Sequence, residues 1–192
     1  MIINTILIII SVSVSGVILI FSDWRWRMVC LAVIQLIGFI LIVQIWPIAL
    51  ASVKLISGWM GVALISATMS SSSNKDQSES LVAAKIFKLM LAAFSWVVIA
   101  ASVDQLNNWL PISYTYLFIG LVFFFCGIFF VSLITDINGI AVGLLIFLAG
   151  FDIIYSSLEG SALVTGFYGL IVILISLVSS YLQGGFTIRG SD

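Results

Sequence analysis

Histidine is absent from this sequence, and charged residues of either sign are scarce. The 192 residues contain no histidine, two cysteines, two prolines and only 8% charged residues, whereas an ordinary soluble domain has about 25%. Without histidine, the chain cannot build a Ser–His–Asp or Cys–His catalytic set, a histidine-ligated haem or a histidine-ligated zinc site. No nucleophile–base pair and no phosphate-binding loop occurs either. An independent enzyme acting on a soluble substrate is therefore the least favoured class.

The small number of charges also limits the partners. The net charge is −1 and no basic stripe exists, which argues against binding to nucleic acid. The two cysteines, Cys30 and Cys126, lie inside apolar runs. In that setting they are expected to be packing residues rather than a disulfide or metal-binding pair. We expect no cofactor.

The chain is dominated by long apolar runs, with 62% hydrophobic residues and a mean hydropathy of +1.31. About 20 apolar residues in a helix cross a bilayer. The sequence therefore predicts an all-α protein, a polytopic transmembrane helix bundle with about seven spans. The first is predicted to be retained rather than cleaved, because no basic residue precedes it and no cleavage signal follows. The predicted spans are Ile2 to Phe21, Met28 to Trp46, Ile48 to Met69, Lys85 to Val103, Ile112 to Thr135, Ile140 to Ser157 and Ser161 to Gln183.

The spans divide the chain into four parts. Residues 1–69 and 111–192 are each predicted to form a three-helix membrane segment, the second ending in a short polar tail. A polar, serine-rich loop at 70–84 is expected in the cytoplasm. Residues 85–110 are predicted to hold the fourth span and an outer loop.

The distribution of basic residues predicts the orientation. With the N-terminus outside and the C-terminus inside, every lysine and arginine except Lys54 falls on the cytoplasmic side, as the positive-inside rule requires. The residues that agree are Arg25, Arg27, Lys75, Lys85, Lys88 and Arg189. The loops on the other side contain no basic residue.

Two charged residues lie deep within predicted spans, whereas Lys85 and Lys88 are at the start of the fourth span. Lys54 is six residues past the start of the third span and Asp152 is five residues before the end of the sixth. A charge at that depth is costly and should face protein or water rather than lipid. The predicted topology places both at similar depth, so they can form an ion pair if their helices touch. Glu159 would extend the same helical face if the helix continued that far.

These groups have two interpretations. In the first they belong to an ion path, together with Gln35 and Gln44 of the second span, which would bridge helices or face a wet interior. In the second, Lys54 and Asp152 are a purely structural pair or contact a partner subunit.

The third span also carries a packing face. Ser57, Gly61 and Thr68 follow Lys54 at helical spacing and keep this face small or polar, which favours close contact with another helix. Trp46, just before this span, is expected to belong to an interfacial aromatic belt.

Part of the sequence resembles the small membrane subunits of respiratory complex I. Arg25-Trp26-Arg27 leading into 28–39, followed by Ala51-Ser52-Val53-Lys54 and Trp59, resembles NADH dehydrogenase chain 6, with its A-x-V-Q-x-L-V-Y-x-G stretch. Lys54 stands where that family tends to have glutamine, and Trp59 is near its tyrosine. Residues 112–183, with Asn138 to Leu144 matching the start of an N-x-x-x-x-x-G-L-E motif, resemble chain 4L and the related small subunit of Mrp-type antiporters.

The resemblance implies a role in proton translocation, but the sequence departs from it at the key positions. The two intramembrane glutamates of the family would fall near Leu145 and Thr165, neither of which ionises. The resemblance therefore implies that either Asp152 substitutes in part or translocation at this position is lost.

Three functions remain open. The first is a cofactor-free integral membrane subunit of a larger ion-translocating or electron-transfer complex, contributing to or flanking a proton path. Such a subunit would act in the plasma membrane or another energy-transducing membrane, and would itself be at most a non-redox part of an oxidoreductase or antiporter. The alternatives are a structural or assembly subunit without a transport role, and a stand-alone secondary transporter. The last usually shows an inverted repeat, which is not evident here. The expected partners are other membrane subunits and the lipid bilayer.

Overall fold

The computed structural model describes residues 2–21, 23–71, 82–134 and 136–189, and these fold into seven α-helices. In chain order the helices are α1 (Ile2–Ile20), α2 (Trp24–Ile42), α3 (Ile48–Ser71), α4 (Val82–Trp109), α5 (Tyr114–Leu133), α6 (Ile137–Leu158) and α7 (Ala162–Arg189). The described residues contain no strand.

Six of these helices, α2 to α7, are long and apolar enough to cross a membrane. Helix α1 is not among them. Its apolar stretch, counted over residues with described side chains, runs only from Asn4 to Ile20. The chain is therefore a helical, multi-pass membrane protein, and the predicted fold class is confirmed.

Several predicted boundaries differ from the structure. The second helix begins at Trp24 rather than Met28 and ends at Ile42 rather than Trp46, so Arg25 and Arg27 lie in its first turn rather than before it. The fourth helix continues to Trp109, through residues that were assigned to the outer loop. The seventh continues to Arg189, through most of the expected tail. Of the predicted cytoplasmic loop, residues 72–81 lie outside the described part of the chain.

The bundle is organised around the antiparallel pair α5 and α6, which is the most extensive helix contact. Glycines of the two helices face one another in two layers, Gly120 with Gly150 and Gly127 with Gly143. Within each helix the two glycines are seven residues apart, the repeat that keeps one seam against a partner helix. The absence of side chains there brings the two backbones into contact.

The remaining helices pack on either side of this pair. Helices α1 and α4 contact each other and α5. On the other side, α2 packs on α3, α3 on α7, α7 on α6 and α6 on α2, which closes a ring of four helices. Helices α3 and α6 lie at opposite corners of this ring. The helices of the two predicted three-helix segments thus intermix, since α2 and α3 pack with α6 and α7.

Candidate functional site

Lys54 and Asp152 form an ion pair across the four-helix ring. The Lys54 Nζ lies 2.6 Å from the Asp152 Oδ1, and the two side chains are only 4% and 6% exposed. Lys54 is six residues after the start of α3 and Asp152 six residues before the end of α6, so both lie roughly 9 Å inside the same end of the bundle. Because α3 and α6 occupy opposite corners, the long lysine side chain spans the interior between them.

The ammonium is surrounded by groups that stabilise its charge. It donates a second hydrogen bond of 2.7 Å to the Ser156 hydroxyl, and the indole ring centre of Trp46 lies 4.5 Å from Nζ. The Tyr168 ring centre is 5.7 Å away. Each of these contacts is favourable for a cation removed from water. Together with Asp152 they hold the charge within the apolar interior.

Trp46 covers the ion pair instead of lying in an interfacial belt. Its side chain is 7% exposed, and the indole N–H donates a 2.9 Å hydrogen bond to the Ser156 carbonyl oxygen. The prediction of an interfacial position was wrong because the α2–α3 connection folds inward over the ring. The α6–α7 connection closes over it, since a Cβ on Gly160 would lie 3.7 Å from the indole.

Gln35 and Tyr168 extend the site towards α2 and α7. Gln35 is buried, and its Oε1 accepts a 3.3 Å hydrogen bond from the Tyr168 hydroxyl. Helix α3 passes so close that a Cβ on Gly58 would lie 2.8 Å from the same oxygen. The Gln35 Nε2 has no hydrogen-bond partner among the groups that the structure describes.

A small cavity lies between Gln35 and the ion pair. It offers about 10 Å³ to the centre of a water molecule. Its polar lining comes from Gln35, Lys54, Asp152 and Tyr168, and the rest of its wall is apolar. The structure thus brings three of the five ion-path candidates, Gln35, Lys54 and Asp152, to one place.

The other two candidates, Gln44 and Glu159, lie outside this site. Gln44 is exposed beyond the end of α2 and accepts a 3.4 Å hydrogen bond from the Tyr116 hydroxyl. Helix α6 ends at Leu158, so the face of Asp152 does not continue to Glu159. The exposed Glu159 instead accepts a 3.0 Å hydrogen bond from the Tyr155 hydroxyl.

The small face of α3 lies mainly against α7. A Cβ on Gly61 would lie 2.7 Å from the Ser176 Oγ, and Ser57 is in contact range of Gly169. Further along the helix, Thr68 bonds its own backbone, with a 2.9 Å hydrogen bond to the Ile65 carbonyl. Ser57 and Gly61 thus set the close approach of the two helices, which positions Lys54 and Tyr168 beside each other.

Sequence reasoning missed Ser156 and Tyr168, although both left a signal. Ser156 follows Asp152 by four residues, which places the two on one helical face. Tyr168 belongs to a buried face of α7 that is polar apart from Gly169 and Val172. The members of that face are Thr165, Tyr168, Gly169, Val172, Ser176 and Ser179.

The buried polar groups of this ring form two separate clusters. At the end opposite the ion pair, the Ser179 hydroxyl donates a 2.8 Å hydrogen bond to the Asn138 Oδ1. The fully buried Val172 lies between Tyr168 and Ser176 on α7, which are roughly 12 Å apart along the helix axis. The ion-pair cluster is therefore a compact charged centre near one end of the membrane span.

Comparison with protein-family models, with curated proteins and with solved structures gives no match for this chain.

Trp46 offers a direct test of how the ion pair is covered. Trp46→Phe keeps an aromatic face over the ammonium but removes the N–H donor to Ser156, so we expect a loss of about 1 kcal/mol in the free energy of unfolding. Trp46→Leu also removes the aromatic face, and the loss should rise to about 3 kcal/mol. Denaturant titration of the purified protein in detergent measures both values.

The matched control is Trp26→Phe, because Trp26 is 53% exposed and this change should have little effect. Equal stabilities for Trp46→Phe and Trp46→Leu would contradict a role for the aromatic face.

Proposed function

We propose that this chain is a cofactor-free integral membrane subunit of a larger ion-translocating or electron-transfer complex, and that its Lys54–Asp152 pair contributes to or flanks a proton path. The single observation that carries the proposal is the burial of this pair between four membrane helices. Ionisable residues in the membrane interior are rare, and ion pathways and proton relays are among the places where they occur. The adjoining polar groups, Gln35 and Tyr168, line a cavity on the same pair, which suits a site where a proton moves.

The proposal includes the remaining expectations from the sequence. We place the chain in the plasma membrane or another energy-transducing membrane, with the N-terminus outside and the positively charged ends inside. In that orientation the ion pair lies near the outer surface. The relationship to complex I chains 6 and 4L and to Mrp-type antiporters is part of the same proposal.

A structural role for the pair is the second candidate, and one observation favours it. The Lys54 ammonium is already bonded to Asp152 and Ser156 and covered by Trp46, as expected of a charge that only joins helices. In this case the pair would specify how α3 and α6 assemble and would carry no proton.

A purification followed by a transport assay separates these possibilities. The tagged chain, isolated from its native membranes in mild detergent, should migrate with other membrane subunits well above its own 20.9 kDa. A Lys54→Leu/Asp152→Leu double variant should then lower ion translocation by the assembled complex. The same variant would leave translocation per complex unchanged if the pair is structural.

Two results would contradict the proposal. Migration as a lone species would argue against a complex, and ion transport by the reconstituted chain alone would identify a stand-alone transporter. Asp104→Leu is the matched control, because Asp104 is an exposed aspartate near the end of α4 and its loss should leave translocation unchanged.

A further inference from the structure

We propose that the cavity beside the ion pair is a binding site for one buried water molecule, which bridges Gln35 to Asp152. Such a water would occupy the site whether the chain conducts protons or only assembles a complex. An unsatisfied buried amide, the size of the cavity and the polar groups of its wall all point to it.

The first step is the position of the Gln35 amide. The side chain is 95% buried, since its exposed fraction is 5%, and it lines the cavity. Its Oε1 faces the Tyr168 hydroxyl and Gly58. The Nε2 therefore lies on the other edge of the amide, where no described protein group accepts its hydrogen bond. Leaving such a donor without a partner costs about 1–3 kcal/mol.

The second step is the fit between the cavity and a water molecule. A cavity needs roughly 10–15 Å³ of space for the centre of a water-sized sphere to hold one water, and this one has about 10 Å³. The cavity is partly open, and its space is at the lower end of what one water molecule needs. Buried waters occur in cavities with polar walls, whereas apolar cavities of this size stay dry.

The third step is the hydrogen-bonding chemistry of the wall. A water at this position can accept a hydrogen bond from the Gln35 amide N–H and donate one to the Asp152 carboxylate. The Tyr168 hydroxyl also lines the cavity and is a further partner. These groups supply the two to four polar contacts that a buried water usually makes. If the amide were turned over, the water would donate to both oxygens, so the site suits water in either orientation.

The bridging water has a consequence for the ion pair. The hydrogen bonds to Asp152 from Lys54 and Ser156 both end on Oδ1. A water gives the carboxylate a partner other than those two side chains, and it links Gln35 and Tyr168 to the charged pair. The site is then a network of five residues, whose two parts are joined by one solvent molecule.

Hydroxyl-radical footprinting of the purified protein tests the proposal. An X-ray pulse splits bound water in place, and the radical oxidises the side chains beside it. In the wild-type protein, Tyr168 should be oxidised despite its burial. The volume-matched variant Gln35→Met removes both polar ends of the amide, and it should lower the oxidation of Tyr168 several-fold.

Two controls make the result specific. Gln44→Met is the same change at a glutamine outside the cavity, and it should leave oxidation of Tyr168 at the wild-type level. Tyr116, a tyrosine of similar burial on α5, is the internal reference in wild type and Gln35→Met, whereas Gln44→Met removes its own hydrogen-bond partner. Equal oxidation of Tyr168 in wild type and Gln35→Met would overturn the proposal.

A second measurement decides the matter if Gln35→Met does not fold. An experimental density map of the wild-type protein, at a resolution that shows ordered water, should contain a peak within hydrogen-bond distance of the Gln35 amide and the Asp152 carboxylate. A map without that peak would overturn the proposal.

Discussion

Replacing Asp152 with leucine is expected to lower the free energy of unfolding by about 3–5 kcal/mol, because it leaves a buried ammonium without its counter-charge. Lys54 and Asp152 are 4% and 6% exposed, so solvent cannot replace the lost partner. Reversible unfolding in a detergent titration measures the change. Asp152→Asn keeps the size of the side chain and isolates the loss of charge.

The double variant Lys54→Met/Asp152→Leu separates the pair from its individual charges. Replacing both members of a buried pair by apolar residues of similar volume is often neutral or stabilising. We therefore expect the double variant to recover most of the stability that Asp152→Leu loses. The difference between the double variant and the sum of the single variants gives the coupling energy of the pair.

Asp104→Leu provides the comparison for this series, since it removes an exposed carboxylate from another helix. A change within about 0.5 kcal/mol is usual for such a surface position. An Asp152→Leu variant as stable as Asp104→Leu would show that the Lys54 ammonium reaches water or a lipid headgroup, contrary to the buried geometry.

The fold class and the two charged residues of the site could be predicted from the sequence for the same physical reason. Long apolar runs with few charges can only be membrane helices, and a charge within such a run must find a partner. This reasoning selected Lys54 and Asp152 and placed them at one depth. It needed only distance along each helix, which the sequence supplies directly.

The other half of the site depends on how the helices are arranged, which no spacing along one helix reveals. Lys54 reaches Asp152 across the ring between α3 and α6, with α2 and α7 at the sides. Gln35 and Tyr168 lie beside the ion pair only because α2 and α7 flank this interior. Trp46 was misplaced because a tryptophan at the end of a span suits an interfacial belt as well as an inward cover. Only the path of the α2–α3 connection distinguishes the two positions.

Glu159 and Gln44 show the opposite error. Gln44 lies within the predicted second span, and Glu159 lies on the predicted face of Asp152 only if the helix continues that far. The end of α6 at Leu158 and the end of α2 at Ile42 place them beyond the helical faces that point into the ring. An error of a few residues in a helix boundary thus decides whether a side chain faces the interior.

The contact between α5 and α6 determines where Asp152 points. Gly150 packs against the backbone of α5 at Gly120 and Phe124. Asp152 follows two residues later, about 200° around the helix, which is the face directed away from α5. The carboxylate therefore points into the four-helix ring because the glycine side of α6 is held against α5. The glycine contact and the ion pair depend on each other.

Gly150→Ala should consequently destabilise the protein by about 3 kcal/mol, the upper part of the range for overpacking a close contact. The added Cβ would lie 2.6 Å from the Gly120 carbonyl oxygen, and backbone atoms cannot rotate away as a flexible side chain can. Helix α6 must move from α5, and this movement shifts Asp152 relative to Lys54. Unfolding in detergent, compared with wild type, measures the loss.

Gly166→Ala is the matched control, because a Cβ there meets no atom of the described residues within 4 Å. Removing a helical glycine without a clash should stabilise the protein by about 0.5–1 kcal/mol. The two substitutions are identical in chemistry, so opposite effects on stability would isolate the backbone contact.

Gly150→Ala should lower the free energy of unfolding by less in the Lys54→Met/Asp152→Leu background than in the wild-type protein. In that background the shift of α6 no longer separates two charges. Full additivity would show that the glycine contact and the ion pair act independently.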